Sequence, residues 1–201
     1  MVYTIGHSTQ SIERFVELLK KHSITVICDV RSTPYSRMNP QFNREPLRDT
    51  LKEEGIAYVF LGEELGARSK DPSCYRHGRV DYELLARTEL FHSGLERVRE
   101  GARTHRIALM CAEKDPLDCH RTILVARNLV EQGVTVSHIL SDGSVESHDQ
   151  SVSRLMEMLR IGENDLFRPS ENAVRDAYRK RGEAIAYTEQ TDQTQQGAKV
   201  H

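Results

Sequence analysis

Residues 109–133, LMCAEKDPLDCHRTILVARNLVEQG, join an apolar run of strand length to a helical pattern through a polar loop. That loop holds two cysteines, a histidine, an arginine and several carboxylates. Strand, loop and helix in this order form the repeating piece of an α/β fold, and the rest of the chain supplies more of them. Five short β-branched or apolar runs, VYTI, ITVICDV, IAYVF, RIALMC and VTVSHIL, have strand length, and most are separated by helical patterns. In the first of these patterns Ile12, Phe15, Val16 and Leu19 fall at i, i+3, i+4 and i+7, giving one buried face with Ser8 or Thr9 as N-cap. The period returns over 84–102 through Leu84, Thr88, Phe91, Leu95, Val98 and Ala102, and over 122–132, where Gly133 supplies a stop. The alternation predicts a mainly parallel sheet of about five strands with helices on both faces, Rossmann-like or flavodoxin-like, over residues 1–147.

Two connections, 31–43 and 62–81, are too long for simple turns, and long loops in compact domains carry function or are disordered. Val152, Leu155, Met156 and Leu159 mark a further helix, and SENAVRDAYRKRGEA another, so residues 148–187 read as a helical C-terminal appendage packed on the sheet domain. Residues 188–201 are polar and uniform, the composition of a disordered tail.

Composition narrows the setting. No apolar stretch approaches the roughly 18 residues of a membrane span, which points to a soluble protein without a membrane partner. The N-terminus MVYTIGHSTQ has neither basic leader nor apolar core, so the expected location is the cytoplasm. Four cysteines in 201 residues are too sparse for a disulfide scaffold and should persist there as thiols. A net charge of −2 argues against a chain that is basic all over, but positive charge gathers locally. Arg31, Arg37, Arg44 and Arg48 stand with Tyr35 and Phe42 in one loop region, and Arg68, Lys70, Arg76 and Arg79 in the other. Arginines interleaved with aromatics suit a phosphate-bearing ligand with a ring to stack; two solvated loops paired with nearby acids are the plainer reading.

Ligands of open α/β sheets bind outside the carboxyl ends of the strands, so the residues that follow each strand form the candidate site. They are Gly6, His7 and Ser8; Asp29, Arg31 and Ser32; LGEELG; and CAEKDPLDCHR. Cys111 ends a strand, and Arg121 opens a helix whose free N–H groups make an anion site. A cysteine facing that site gains thiolate character and nucleophilicity. The order resembles that of phosphatases and sulfur transferases, although the Cys-x9-Arg spacing is longer than the phosphatases use. Cys119 then serves as a second thiol, and Glu113, Asp115, His120 and His7 are candidates for proton transfer. Arg31 and Arg121 would hold the anion, with Ser8, Asp29, Ser32, Tyr35 and Arg37 around it.

Other readings stay open. Cys111, Cys119 and His120, alone or with His7, are soft zinc ligands, but Cys-x7-Cys-His is not a usual spacing. Adjacent Cys119 and His120 would also have difficulty reaching one ion from a helix start. Both cysteines can equally be small buried hydrophobes. His7 can cap a helix, and Asp29 can form a structural ion pair with Arg31. Cys28 is most simply core and Cys74 incidental.

The segments YTIGHS, DVRSTPYSRMNPQFN, YVFLGEELGARS and LMCAEKDPLDCHR together resemble, in order over roughly residues 2–140, the family catalogued as domain of unknown function 488. The resemblance implies a bacterial or archaeal cytosolic α/β protein without an agreed activity. It marks His7, Ser8, Asp29, Arg31, Pro34, Ser36, Cys111, Glu113, Cys119, His120 and Arg121 as motif positions. Where the family's third motif has a glycine pair, this chain reads Gly66 then Ala67.

The expected function is an enzyme using a Cys/His/Arg site on a phosphate-bearing, nucleotide-like substrate. The alternatives are a nucleotide or nucleic-acid binding module without catalysis, and a zinc protein. The sequence requires no cofactor, and the expected partner is a small anionic molecule or nucleotide, with nucleic acid as a further candidate.

Overall fold

The computed structural model describes residues 1–161 and 171–189. Apolar alternation within the strands sorts side chains to two faces, and this sorting builds the layers. The elements run β1 (Val2–Gly6), α1 (Ile12–Lys21), β2 (Val26–Asp29), α2 (Arg44–Glu53), β3 (Ala57–Phe60), α3 (Gly62–Leu65), β4 (Tyr75–Arg76), β5 (Arg79–Val80), α4 (Tyr82–Leu85), α5 (Glu89–Gly101) and β6 (Ile107–Cys111). A π-helical segment, Arg121–Ala126, then runs into α6 (Arg127–Glu131), followed by β7 (Val136–Ile139), β8 (Val145–Ser147), α7 (His148–Met158) and α8 (Glu171–Ile185).

The main sheet has the order β3-β2-β6-β1-β7-β8, with β8 antiparallel to β7 and every other pair parallel. The five expected strands are thus the five parallel ones, and the Rossmann-like α/β reading holds. Tyr3, Ile5, Ile27 and Met110 pack against Phe15, Leu18 and Leu19 of α1 and Leu47 and Leu51 of α2. Val2, Cys28, Leu109 and Cys111 face the other way, onto Phe91, Leu95 and Val98 of α5 and Leu124, Val125 and Leu129 beyond β6. Both faces are covered, which is why the strands read as continuous apolar runs.

Local details differ from the sequence reading. Ser11, not Ser8 or Thr9, caps α1, its hydroxyl accepting from the Arg14 N–H at 3.2 Å. Ser8 has a positive φ of 48° and turns the chain just after β1. The period over 84–102 breaks into the end of α4 and α5 because Thr88 starts a new helix there, while Asp81 caps α4. The long 62–81 connection contains α3 and the β4–β5 hairpin.

Beyond the sheet, Leu155 and Met156 of α7 pack with Ala177 and Tyr178 of α8 over Leu117 and Ile123. A buried polar line ties these helices to the strands: Thr4 Oγ1 to His138 Nδ1 at 2.8 Å, His138 Nε2 to His148 Nδ1 at 3.1 Å, His148 Nε2 to the Tyr178 hydroxyl at 2.8 Å. After α8 the chain pairs with the hairpin, Val80 N–H donating to Tyr187 O at 2.9 Å and Glu189 N–H to Gly78 O at 2.8 Å. Of the predicted tail only 188 and 189 belong to the described residues; the rest, 190–201, lies outside them, as does 162–170 within the predicted appendage. Among the described residues no helix is long and apolar enough to cross a membrane.

The connection from β2 runs outward to β3, whereas that from β6 crosses β1 to reach β7. The neighbouring strands β2 and β6 therefore part at their carboxyl ends, and a crevice opens between them.

Candidate functional site

Cys111 is the last residue of β6, paired in register with Gly6, and its side chain lies on the α5 side of the sheet. The chain then leaves as a loop and returns through a short 3-10 turn, Pro116–Asp118, capped by the Asp115 carboxylate, which accepts from the Leu117 N–H. Cys119 follows in an extended conformation (φ −135°, ψ 140°) and His120 in a helical one (φ −60°, ψ −26°). This change of backbone direction lets consecutive side chains converge. His120 Nδ1 lies 3.8 Å from Cys119 Sγ and 3.7 Å from Cys111 Sγ, while its Nε2 donates to the carbonyl of Val30 at 3.0 Å. The expected difficulty of bringing Cys119 and His120 to one point does not arise, because Cys119 precedes the helical geometry instead of sharing it. All three side chains are buried, and the two Sγ atoms and one ring nitrogen lie within 4.8 Å of one another. They are the group among the described residues with the donor set and spacing to hold a metal ion.

Arg121 comes next and is fully buried. Its guanidinium donates to the carbonyls of Glu113 at 2.8 Å and Lys114 at 3.3 Å, its Nε has no hydrogen-bond partner, and no carboxylate pairs with it among the described residues. Its own backbone N–H points at Cys119 Sγ, 3.4 Å away. Arg121, expected from the sequence to hold a ligand's anion, braces the 113–114 loop and brings positive charge to Cys119. Gly6 makes that loop's course possible, since a Cβ there would sit 1.9 Å from the Glu113 carbonyl oxygen.

The charges in this corner act on one another. Hydrogen bonding to Cys119 and burial hold the Cys111 thiol well above its ordinary range. Burial opposes ionisation of Cys119, but the Cys111 hydrogen bond and the Arg121 charge outweigh it and hold that thiol low. Burial also raises the Glu113 carboxyl, which turns in toward both sulfurs although the residue as a whole is exposed.

A second cluster stands across the crevice. Asp29 ends β2 and grips Arg31 through Nε at 2.9 Å and NH2 at 2.6 Å, and also accepts from the Tyr58 hydroxyl at 2.8 Å. Arg31 donates further to the Phe42 carbonyl at 2.8 Å and to His7 Nε2 at 3.2 Å. His7 stacks on Phe42 with ring centroids 4.3 Å apart, its Nδ1 donating to the Ser8 carbonyl at 2.8 Å. Burial lowers its pKa to about 4, so the ring is neutral and accepts from the arginine. Arg31, expected to hold an anion, holds the Asp29 carboxylate, the structural pair that the sequence left open, and still lines the cavity.

Between the clusters lies a cavity of about 360 Å³. Arg31, Ser32, Cys111, Glu113 and His120 line it, so five of the predicted site residues meet there. Cys119 sits beneath its floor, and His7 and Asp29 back Arg31. Ser8, Tyr35 and Arg37 do not reach it; Tyr35 is bonded to Glu45 at 2.9 Å, and Phe42, grouped by sequence with the stacking residues, is in the core. Tyr82, Arg68 and Tyr187 complete the walls, with the Arg68 guanidinium 4.5 Å from the centre of the Tyr187 ring. Neither tyrosine carries a local signal of this role; each arrives by long-range packing. Ala67 is also on the wall.

A larger cavity of about 570 Å³, sharing Tyr82, lies between the β4–β5 hairpin and α8. Among its cations Arg76, Arg127 and Arg179 are paired with Asp81, Glu131 and Glu183, Arg79 donates to the Glu183 carbonyl, and the cavity contains none of the cysteine cluster.

A comparison with curated proteins found no match. The family model described as "Domain of unknown function DUF488" matches residues 11–128, well over half of the chain and the span that includes Asp29, Arg31, Cys111, Cys119, His120 and Arg121. The chain belongs to the DUF488 family.

Proposed function

We propose that the chain is a cytoplasmic hydrolase for a small phosphate-bearing, nucleotide-like substrate bound in the β2–β6 crevice, with the Cys111–Cys119–His120 cluster as its reaction centre. The observation that carries this reading is the convergence of two thiols, an imidazole and the Glu113 carboxyl at one end of a walled cavity. The cavity volume falls within the roughly 300–1,000 Å³ of small-ligand sites. Arg68 makes no ion pair among the described residues and supplies the charge for a phosphate, assisted by the hydroxyl of Ser32 and the remaining NH1 proton of Arg31. The rings of Tyr82 and Tyr187 offer flat walls for a base or sugar.

Cys111 is not used as the attacking group. A nucleophile and its base sit at about 2.6–3.2 Å, or a little more for sulfur, whereas His120 Nδ1 stands nearly equidistant from two sulfurs at 3.7 and 3.8 Å. Water attacks instead. Its oxygen forms the new bond to the reacting centre, Glu113 takes its proton and passes it to the leaving group as that bond breaks.

The binding-module alternative relies on stacking from the arginine loops, and burial of Phe42 and the Tyr35–Glu45 hydrogen bond leave it less support. The test is a panel of nucleoside phosphates, sugar phosphates and phosphodiesters incubated with the purified chain and with Glu113→Gln. Turnover of at least one member, lost by 100-fold or more in the variant, is expected. Binding without turnover across the panel would favour the module.

A further inference from the structure

We infer that Cys111, Cys119 and His120 bind one zinc-like divalent cation, with a fourth coordination position opening into the cavity beside Glu113. The two nitrogen–sulfur distances match the object. Zinc bonds of about 2.3 Å to sulfur and 2.0–2.1 Å to nitrogen, set tetrahedrally, put neighbouring ligand atoms about 3.5–3.8 Å apart. The observed nitrogen–sulfur separations are 3.7 and 3.8 Å, too long for good hydrogen bonds and right for two edges of a coordination tetrahedron.

The surroundings are those of a prepared site. Nε2–H of His120 is tied to the Val30 carbonyl, which fixes the tautomer so that the Nδ1 lone pair faces the sulfurs; metal-binding histidines are oriented in this way. The Arg121 N–H directed at Cys119 Sγ suits a thiolate ligand. Charge balances as well. Two ligand thiolates neutralise a dication, leaving carboxylates, Asp115 among them, to offset the buried guanidinium of Arg121, which makes no ion pair among the described residues.

A two-sulfur, one-nitrogen donor set selects zinc-like ions over magnesium or calcium. Three protein ligands with an open fourth position are the arrangement of catalytic sites, whereas structural zinc takes four. The use of that position to activate water rests on the hydrolase reading. The existence of the site does not.

The experiment uses the full chain, reduced, stripped with chelator and titrated with cobalt(II) and then zinc(II). One equivalent of cobalt should give the visible bands of a tetrahedral ion with a sulfur-to-metal charge-transfer band, and zinc should abolish them. Cys119→Ser should weaken zinc binding by more than about 100-fold, given that loss of an outer-shell partner alone costs 10–100-fold. Should that variant not fold, alkylation of the native chain gives an independent answer. Zinc should protect Cys111 and Cys119 and leave Cys28 and Cys74 unaltered. Substoichiometric cobalt without charge-transfer absorption, or zinc that fails to protect the pair, overturns the site. Phosphate-ester turnover that survives complete metal removal overturns the activation of water at the fourth position and leaves the hydrolase reading standing. One tight equivalent of metal with no turnover of any panel member overturns that reading and leaves the site.

Discussion

Asp29 holds Arg31 through both carboxylate oxygens, at 2.9 and 2.6 Å, with the aspartate fully buried and the arginine nearly so. A buried pair of this kind adds little net stability, but removing one member strands the other charge in a poor solvent. Asp29→Asn should therefore lower the unfolding free energy by roughly 3–5 kcal/mol. Urea denaturation measures this, and a loss under about 1 kcal/mol would mean that Arg31 relaxes to solvent.

Gly6 is required by the close passage of the 113–114 loop. In Gly6→Ala the new methyl group meets the Glu113 carbonyl 1.9 Å away, where backbone, not a flexible side chain, has to move. Destabilisation of about 1–3 kcal/mol is expected. The displaced loop also carries the Glu113 carboxyl away from the thiols, so zinc protection of Cys111 against alkylation should persist while hydrolysis falls.

Acid should loosen the contact between the C-terminal helices and the sheet. Burial lowers the pKa of His148 to about 4 from an ordinary 6.5, and His138, facing it, is also held low by burial and by its neighbour. The native state thus binds fewer protons than the unfolded chain between these values. Stability is complete above about pH 6.5 and falls as pH drops toward 4, by up to roughly 3 kcal/mol from His148 alone. His7 contributes in the same direction and window. Urea midpoints measured from pH 7.5 to 4.5 give the slope, and a flat profile would contradict the buried line.

Tyr178→Phe tests that line separately. Without the hydroxyl, His148 Nε2 loses its partner at 2.8 Å, and an unsatisfied buried group costs about 1–3 kcal/mol. The loss should be read in calorimetry at neutral pH, with the cobalt spectrum of the cysteine site unaltered.

Tyr187 orders Arg68 by presenting its ring 4.5 Å from the guanidinium. Removing the ring in Tyr187→Ala should raise KM for a phosphate ester about 2–5-fold with kcat nearly constant, the equivalent of about 0.5–1 kcal/mol of cation–π attraction. A fall in kcat at constant KM would place Tyr187 in the chemistry.

The chain on its own determined the α/β class and the five parallel strands, because strands buried on both faces leave continuous apolar runs of recognisable length. It also brought Cys111, Glu113, His120, Arg31 and Ser32 to one edge, since parallel strands all end on the same side. Strand β8 escaped notice because three residues hold no pattern, and the π-helical turn at Arg121–Ala126 because π and α turns share the same apolar spacing over so short a stretch. Only the tertiary structure decided what the polar residues do. Arg31 is read from sequence either as an anion holder or as the partner of Asp29, and the fold closes that pair, with Tyr58 donating to Asp29; burial sets Arg121 against the Glu113 carbonyl. Tyr82 and Tyr187 reach the cavity through packing between segments about a hundred residues apart, and Cys119 meets His120 through one change of backbone dihedral. Periodicity records which side chains leave water; it does not record which polar atoms find one another once they have left.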